Sequence, residues 1–124
     1  MVVTRIVSTS ETIDIAHLAQ DLTAMRIAPD ELMILGDVVE FGDWTHDPHA
    51  IVFADTGWAG VWLGSEQADE FLLSECEWQL PSERPAFAQG MVSHLAVKLW
   101  LEDDRTLILV PSAMSAELEA RLAR

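Results

Sequence analysis

The spacing between strand-like segments limits this chain to a largely antiparallel sheet. Apolar, strand-like runs cover 50–55, 58–63 and 94–101, and each has the length of a single strand. The breaks at 55–58 and 101–105 are too short for a parallel crossover, which needs about a dozen residues or more. Two or three segments with helical spacing accompany the strands. We therefore predict an α+β fold, a largely antiparallel sheet with the helices packed on one face in a split β-α-β sandwich.

Capping and turn residues place the elements of the first half of the chain. We predict an edge strand at 2–8, a helix that begins at Thr12 or Asp14, and a strand at 31–35 with an antiparallel return at 37–41. The predicted helix has one apolar stripe at helical spacing. Its members are Ile15, Leu18, Ala19, Leu22 and Met25.

The second half of the chain is predicted in the same way. Ser65 is a suitable N-cap for a helix that runs to residue 76, and two prolines keep 79–88 irregular. A closing hairpin turns at 102–104, and a last helix opens at Pro111-Ser112. The apolar stripes of these two helices comprise Ala68, Phe71, Leu72, Cys76, Met114, Leu118 and Leu122.

Length and composition predict one domain, 1–124, with an ordinary core. The chain has 124 residues, of which 50% are apolar, and chains begin to split only well beyond ~200 residues. No run approaches the ~18 apolar residues of a membrane span, and the start lacks the pattern of a signal peptide. We therefore expect a soluble, cytoplasmic protein. Cys76 is the only cysteine, which excludes an internal disulfide and a thiolate metal cluster.

The charge distribution restricts the classes of partner. The net charge is −14, and the segment from Ile27 to Glu83 carries 13 acidic residues without any Lys or Arg. Such a surface repels phosphate, so we expect no binding to nucleic acid or to anionic membranes. It favours a basic partner, or the acidic exterior of a protein from a salty setting.

The residue types that carry catalysis or bind metals form no convincing site. His46, Asp47 and His49 are the one cluster of ligand types, but Pro48 forbids the helical register that would aim both histidines at one ion. We interpret this segment as a solvated loop. His17 and His94 stand alone in periodic elements, and Cys76 lies on the apolar side of its helix. We predict no catalytic, cofactor-binding or metal-binding residue.

Three tryptophans form the candidate interface. Strand alternation puts Trp58 and Trp62 on one face of 58–63, and it puts Trp100 opposite the aliphatic residues of 94–101. If the aliphatic faces meet the helices, the tryptophans point outward as an aromatic patch, which often marks an interface. The alternative is a sheet covered by the chain on both sides, and the sequence does not decide between the two.

The order of features over 26–124 resembles the gamma subunit of heterotetrameric sarcosine oxidase, which is itself similar to part of the aminomethyltransferase (T-protein) and folate-binding superfamily. The resemblance covers about four fifths of the chain. It rests on the succession of 28–32 (APDEL), 54–56 (ADT), 63–68 (LGSEQA), Cys76 with Leu80, 87–90 (FAQG), the hairpin acids Asp103-Asp104, and 109–113 (LVPSA).

This resemblance implies a non-catalytic small subunit that packs on a larger folate- and dinucleotide-binding subunit. The implied complex oxidises N-methyl amino acids, and flavin, NAD and folate are implied for the complex alone. The longer hairpin in which T-proteins place their catalytic aspartate is missing between Gly90 and Glu102, so no catalytic residue is transferred. A free-standing homo-oligomeric domain that binds a folate-like ring is the alternative. A small metalloenzyme using His46 and His49 is a distant third.

Overall fold

A computed structural model describes residues 1–16, 18, 21–37 and 47–124 of the chain. These residues divide into two units, Met1–Gly57 and Trp58–Arg124. Each unit contains one four-stranded antiparallel sheet with accompanying helices, so the predicted α+β class with antiparallel strands is confirmed. None of the helices in this part of the chain has the length and apolar character that crossing a membrane requires.

The described residues of the first unit form four strands and one short helix. Its elements are β1 (Val3–Val7), α1 (Ser10–Asp14), β2 (Ala24–Ala28), β3 (Glu31–Leu35) and β4 (Ile51–Asp55). The strand order in the sheet is β2-β3-β1-β4. One face carries a core cluster of Ile6, Leu32 and Ile34 with Ile13 of α1. The predicted return strand at 37–41 lies outside the described residues except for Asp37.

The first strand is central, so the prediction of an edge strand at 2–8 is wrong. β1 pairs with β3 on one side and with β4 on the other, antiparallel in both cases. Each of its faces carries a buried apolar residue, because Val3 and Ile6 point to opposite sides and are each 0% exposed. Burial on both faces is typical of a central strand. Neighbours on both edges also pair the backbone N–H and C=O groups of such a strand.

The first helix begins earlier and ends sooner than predicted. Thr9 is the N-cap, and its hydroxyl accepts a hydrogen bond from the Thr12 amide at 3.1 Å, which starts the helix before Thr12. Ile15 is the C-cap, leaves helical geometry and is 70% exposed. Met25 lies in β2 instead of on a helix, so sheet pairing overrides the helical spacing of the predicted stripe. Ala19 and His17 lie outside the described residues.

The second unit has four strands and two longer helices. Its elements are β5 (Trp58–Gly64), α2 (Ser65–Glu75), β6 (Ala86–Val92), β7 (Leu95–Leu101), β8 (Arg105–Pro111), a 3₁₀ turn (Ser112–Met114) and α3 (Ser115–Leu122). The strand order is β5-β8-β7-β6. Leu72 of α2 and Leu118 of α3 join Leu99 and Ile108 of the sheet in one core cluster. The two helices therefore cover one face of this sheet, as predicted.

The adjacent strands β4 and β5 belong to different sheets. They follow one another in the sequence as a hairpin would, but β4 pairs with β1 and β5 pairs with β8. A carboxylate oxygen of Asp55 accepts a hydrogen bond from the Gly57 amide at 2.8 Å. This local turn ends β4.

The strand β6 was not predicted as a whole, since 79–88 was expected to be irregular and β6 begins at Ala86. It forms a hairpin with β7 through Ser93 and His94, whose φ values are 51° and 64°. Positive φ at both central residues is the geometry of a two-residue hairpin turn. His94 therefore lies in a turn, and its predicted place in a strand is wrong.

Candidate protein-interaction surfaces

The three predicted interface tryptophans lie on one face of the second sheet. In the strand register, Leu107 of β8 pairs with Trp62 of β5 and with Trp100 of β7, and Trp58 pairs with Pro111. Paired residues of an antiparallel sheet point to the same side. The opposite side carries Leu99 and Ile108 and meets the helices. We call the side with Trp58, Trp62 and Trp100 the tryptophan face.

Cationic side chains already cover two of the indole rings. The guanidinium carbon of Arg105 lies 3.8 Å from the ring centroid of Trp62, and Nζ of Lys98 lies 5.4 Å from that of Trp58. Both distances are within the range of a cation–π interaction. A flat ligand that stacked on the outer face of Trp62 would have to displace the guanidinium.

A carboxylate connects the covered ring to the third tryptophan. Glu102 accepts hydrogen bonds from Nε of Arg105 at 2.6 Å and from Nε1 of Trp100 at 3.1 Å. At the other end of the face, Nζ of Lys98 donates to Oε1 of Gln89 at 2.9 Å. The polar groups around the rings therefore hold one another in place.

The tryptophan face is half-buried. Each of the three tryptophans is intermediate in exposure, and Leu107 and Leu109, which lie among them, are 0% exposed. The alternation that placed the rings together is as predicted, but they are not a fully exposed patch. Their role as a contact surface stays a prediction.

β4 of the first unit carries four consecutive exposed apolar residues. Ile51, Val52 and Phe53 are 58%, 41% and 41% exposed, and Ala54 is exposed too. Successive strand residues point to opposite faces, so β4 presents apolar groups on both sides. We call residues 51–54 the apolar edge. Sequence reasoning recognised this strand but not its exposure, because pairing partners are set by tertiary contacts.

Arg5 of β1 contacts residues of both neighbouring strands, β3 and β4. Nε of Arg5 donates to Oε1 of Glu31 at 2.7 Å, and Nη1 of Arg5 lies 3.5 Å from Oδ2 of Asp55. The same guanidinium lies 5.4 Å from the ring centroid of Phe53. Its charge is thus shared between two carboxylates, and it leaves no net positive charge beside β4.

The predicted solvated loop at 46–49 is described only from Asp47 onward. Oδ2 of Asp47 accepts a hydrogen bond from the Ser8 hydroxyl at 2.5 Å, and Oδ1 accepts one from the His49 amide at 2.9 Å. These bonds, the Ser8 bond first, lower the pKa of the Asp47 carboxyl below its ordinary value. The carboxylate thus stabilises a turn. His46 lies outside the described residues.

No group of three or more His, Cys, Asp or Glu side chains is placed to hold a metal ion within the described ranges. Cys76 is half-buried and packs against the core cluster of the second unit, as its place on the predicted helix indicated. Its thiol lies 3.4 Å from the carbonyl oxygen of Trp78.

Comparison of the chain with protein-family models, with curated proteins and with solved structures finds no match.

Proposed function

We propose that this chain is a non-catalytic subunit that docks on a larger protein. The observation that carries the proposal is the apolar edge, where Ile51, Val52 and Phe53 are 58%, 41% and 41% exposed on a strand at the end of its sheet. Soluble proteins usually protect such a strand with charge, proline or a covering segment. Burial against a partner would remove this apolar surface from water.

The resemblance to sarcosine oxidase gamma subunits suggests the identity of the partner. It would be the larger folate- and dinucleotide-binding subunit of a flavin-dependent oxidase of N-methyl amino acids. In this proposal the flavin, NAD and folate belong to the complex, and this chain supplies docking surface alone. The tryptophan face is a second surface available to the same complex.

The proposal is tested by co-expressing the chain with the products of neighbouring genes and following assembly by size-exclusion chromatography. We expect a complex that contains this chain in fixed proportion, and we expect the chain alone to show no oxidase turnover. A chain that remains a monomer in the presence of every neighbouring product, or that turns over an N-methyl amino acid by itself, contradicts the proposal.

A double substitution tests the contribution of the tryptophan face. Trp58→Ser with Trp62→Ser should weaken assembly while the isolated chain stays folded, because interface aromatics often contribute ~2 kcal/mol or more apiece. The control is Leu73→Ser, since Leu73 is exposed on α2, away from the tryptophan face. Loss of the monomer fold in the double variant would instead assign both rings to the core.

A second candidate function, binding of a folate-like ligand by a homo-oligomer, is favoured by a groove beside Trp58. The groove has a volume of about 310 Å³ and is lined by Trp58, Met91, Lys98 and Pro111, among others. Drug-sized ligands occupy clefts of about 300–1,000 Å³, so the groove is at the small end of that range. Quenching of tryptophan fluorescence by added folate, lost in Trp58→Ser, would support this candidate.

A further inference from the structure

We propose that the outer edge of β4 receives an extended, basic segment of the partner as an added strand. This inference rests on the proposed function, since it names how the partner docks and what chemistry its docking segment carries. It depends on three properties of β4: a side without a pairing strand among the described residues, apolar side chains on both faces, and aspartates before the strand and at its end.

Among the residues that the structure describes, no strand pairs with β4 on the side away from β1. β4 is the last strand in the order β2-β3-β1-β4, and its antiparallel neighbour is β1. Within the described residues, the main chain of 51–54 forms no backbone–backbone hydrogen bond outside that pairing. Unpaired amide and carbonyl groups in a row are the template for strand addition.

The side chains of β4 offer specific contacts above and below an added strand. Val52 pairs with Ile6 and Ala54 pairs with Thr4, so these two residues share the face of the core cluster around Ile6. Phe53 points to the opposite face. A strand laid beside β4 would cover both rows with its own alternating side chains.

The apolar edge, residues 51–54, lacks the charges and prolines that usually protect an edge strand, and the one charged residue of β4 is Asp55 at its end. Residues 51–54 include no Lys, Arg, Asp, Glu or Pro, whereas natural edge strands carry such residues to prevent pairing with other chains. The nearest cation, on Arg5, is engaged by Glu31 and Asp55. An edge left in this state is suited to accept a strand.

Charge favours a basic segment over a second copy of the chain. Asp55 is the last residue of β4 and Asp47 precedes the strand in sequence, and the whole segment from Ile27 to Glu83 contains no Lys or Arg. A second copy would bring the same acidic segment and another net charge of −14, whereas lysines or arginines on the added strand would find complementary charge.

The test uses the full chain and defined peptides as probes. The first probe is a seven-residue peptide of alternating lysine and valine, the second is the same peptide with alternate amides N-methylated, and the third replaces each lysine with glutamate. Binding is followed by fluorescence anisotropy at low salt, and amide hydrogen exchange is followed at 51–54. N-methylation removes the donors that strand addition needs and leaves the charge unchanged.

We expect the basic peptide to bind and to slow amide exchange at 51–54, and we expect the N-methylated and acidic peptides to bind at least about tenfold more weakly, which corresponds to about 1.4 kcal/mol. Phe53→Lys should weaken binding of the basic peptide. Leu73→Lys adds the same charge to α2, where Leu73 is 88% exposed, and should leave binding nearly unchanged.

Three results would overturn the inference: equal binding of the N-methylated peptide, no change in exchange at 51–54, or self-association of the chain that Phe53→Lys abolishes. The last result would assign the edge to a second copy. Failure of the proposed function is a separate outcome. A basic peptide that protects 51–54 while no neighbouring gene product assembles with the chain would support the open edge and contradict the subunit role.

Discussion

We predict that replacing Gly90 of β6 with alanine lowers the stability of the protein. A Cβ atom added there would lie 2.8 Å from both Cε2 and Cζ2 of Trp78 and 3.0 Å from its Nε1. The ring cannot withdraw without loss, because Nε1 donates a hydrogen bond to the Met91 carbonyl at 2.8 Å. Trp78 also packs against the core cluster of the second unit.

The expected cost of Gly90→Ala follows from these contacts. Carbon atoms pack at about 3.5–4.0 Å, so the ring must move by roughly 0.7 Å or more. Overpacking of this kind costs about 1–3 kcal/mol. Alanine also reduces the backbone freedom of the unfolded chain, which stabilises the folded state by about 0.4–1 kcal/mol. We therefore expect the free energy of unfolding to fall by about 1–2 kcal/mol.

The assay is urea unfolding of a double-mutant cycle. In a Trp78→Ala background, the alanine at position 90 has no ring to meet, and Gly90→Ala should become neutral or stabilising. Gly64→Ala is the control, since a Cβ there meets nothing within 4 Å. Gly64, and not the predicted Ser65, is the N-cap of α2, so the substitution should cost less than about 1 kcal/mol as a change of N-cap. An equal loss from Gly90→Ala in both backgrounds would refute the argument from the ring.

Three further predictions concern other parts of the chain. Leu72→Ala and Leu99→Ala should each lower the free energy of unfolding by about 2–5 kcal/mol, because both side chains are buried in one cluster; melting within a degree or two of the parent would be inconsistent with this. His94→Gly should raise the free energy of unfolding by about 1 kcal/mol, because His94 has a φ of 64°, which is unfavourable for a residue with a side chain. A lower free energy of unfolding would mean that the imidazole contributes to the fold. Ser8→Ala should raise the pKa of Asp47 toward its ordinary value in a carboxyl-carbon NMR titration, because the Ser8 hydroxyl bond is the largest cause of the lowering. Since the folded-state pKa is the lower one, the stabilisation from that bond is present above about pH 4 and is lost as pH falls through the folded-state value; an unchanged titration of Asp47 in the variant would contradict the assignment.

The sequence predicts elements well where one local pattern decides them. The closing hairpin of β7 and β8 was predicted because alternation over 94–101 leads into an acidic turn, and α2 was predicted from its helical stripe. β4 and β5 were also predicted within a residue of their ends. These elements have a short-range periodicity that agrees with their tertiary contacts.

Partners across a sheet could not be predicted in the same way. β1 has apolar residues on both faces, but nothing local states that it lies between β3 and β4. The turn at Gly57 has the residues of a hairpin, yet its two flanking strands join different sheets.

The two candidate surfaces could also be predicted only in part. Alternation grouped the three tryptophans on one face, but the stacking of Arg105 on Trp62 depends on the register that pairs Arg105 with Gly64. The exposure of β4 depends on its position at the end of a sheet. The stacking on Trp62 and the exposure of β4 both depend on which strands pair and in which register. Those pairings join residues distant in sequence, and no local pattern predicts them.

The order of the strands along the chain determines when each strand pairing can form during synthesis on the ribosome. In each sheet the first strand pairs with the last, Val3 with Asp55 and Trp58 with Pro111. Synthesis runs from the N-terminus at about 5–20 residues per second, so all strands of the first sheet exist before β5 is begun. A chain cut after Gly57 keeps every strand pairing described for that sheet. A chain cut before Arg105 leaves β5 without the strand it pairs with, and such a fragment should be the one that cells degrade.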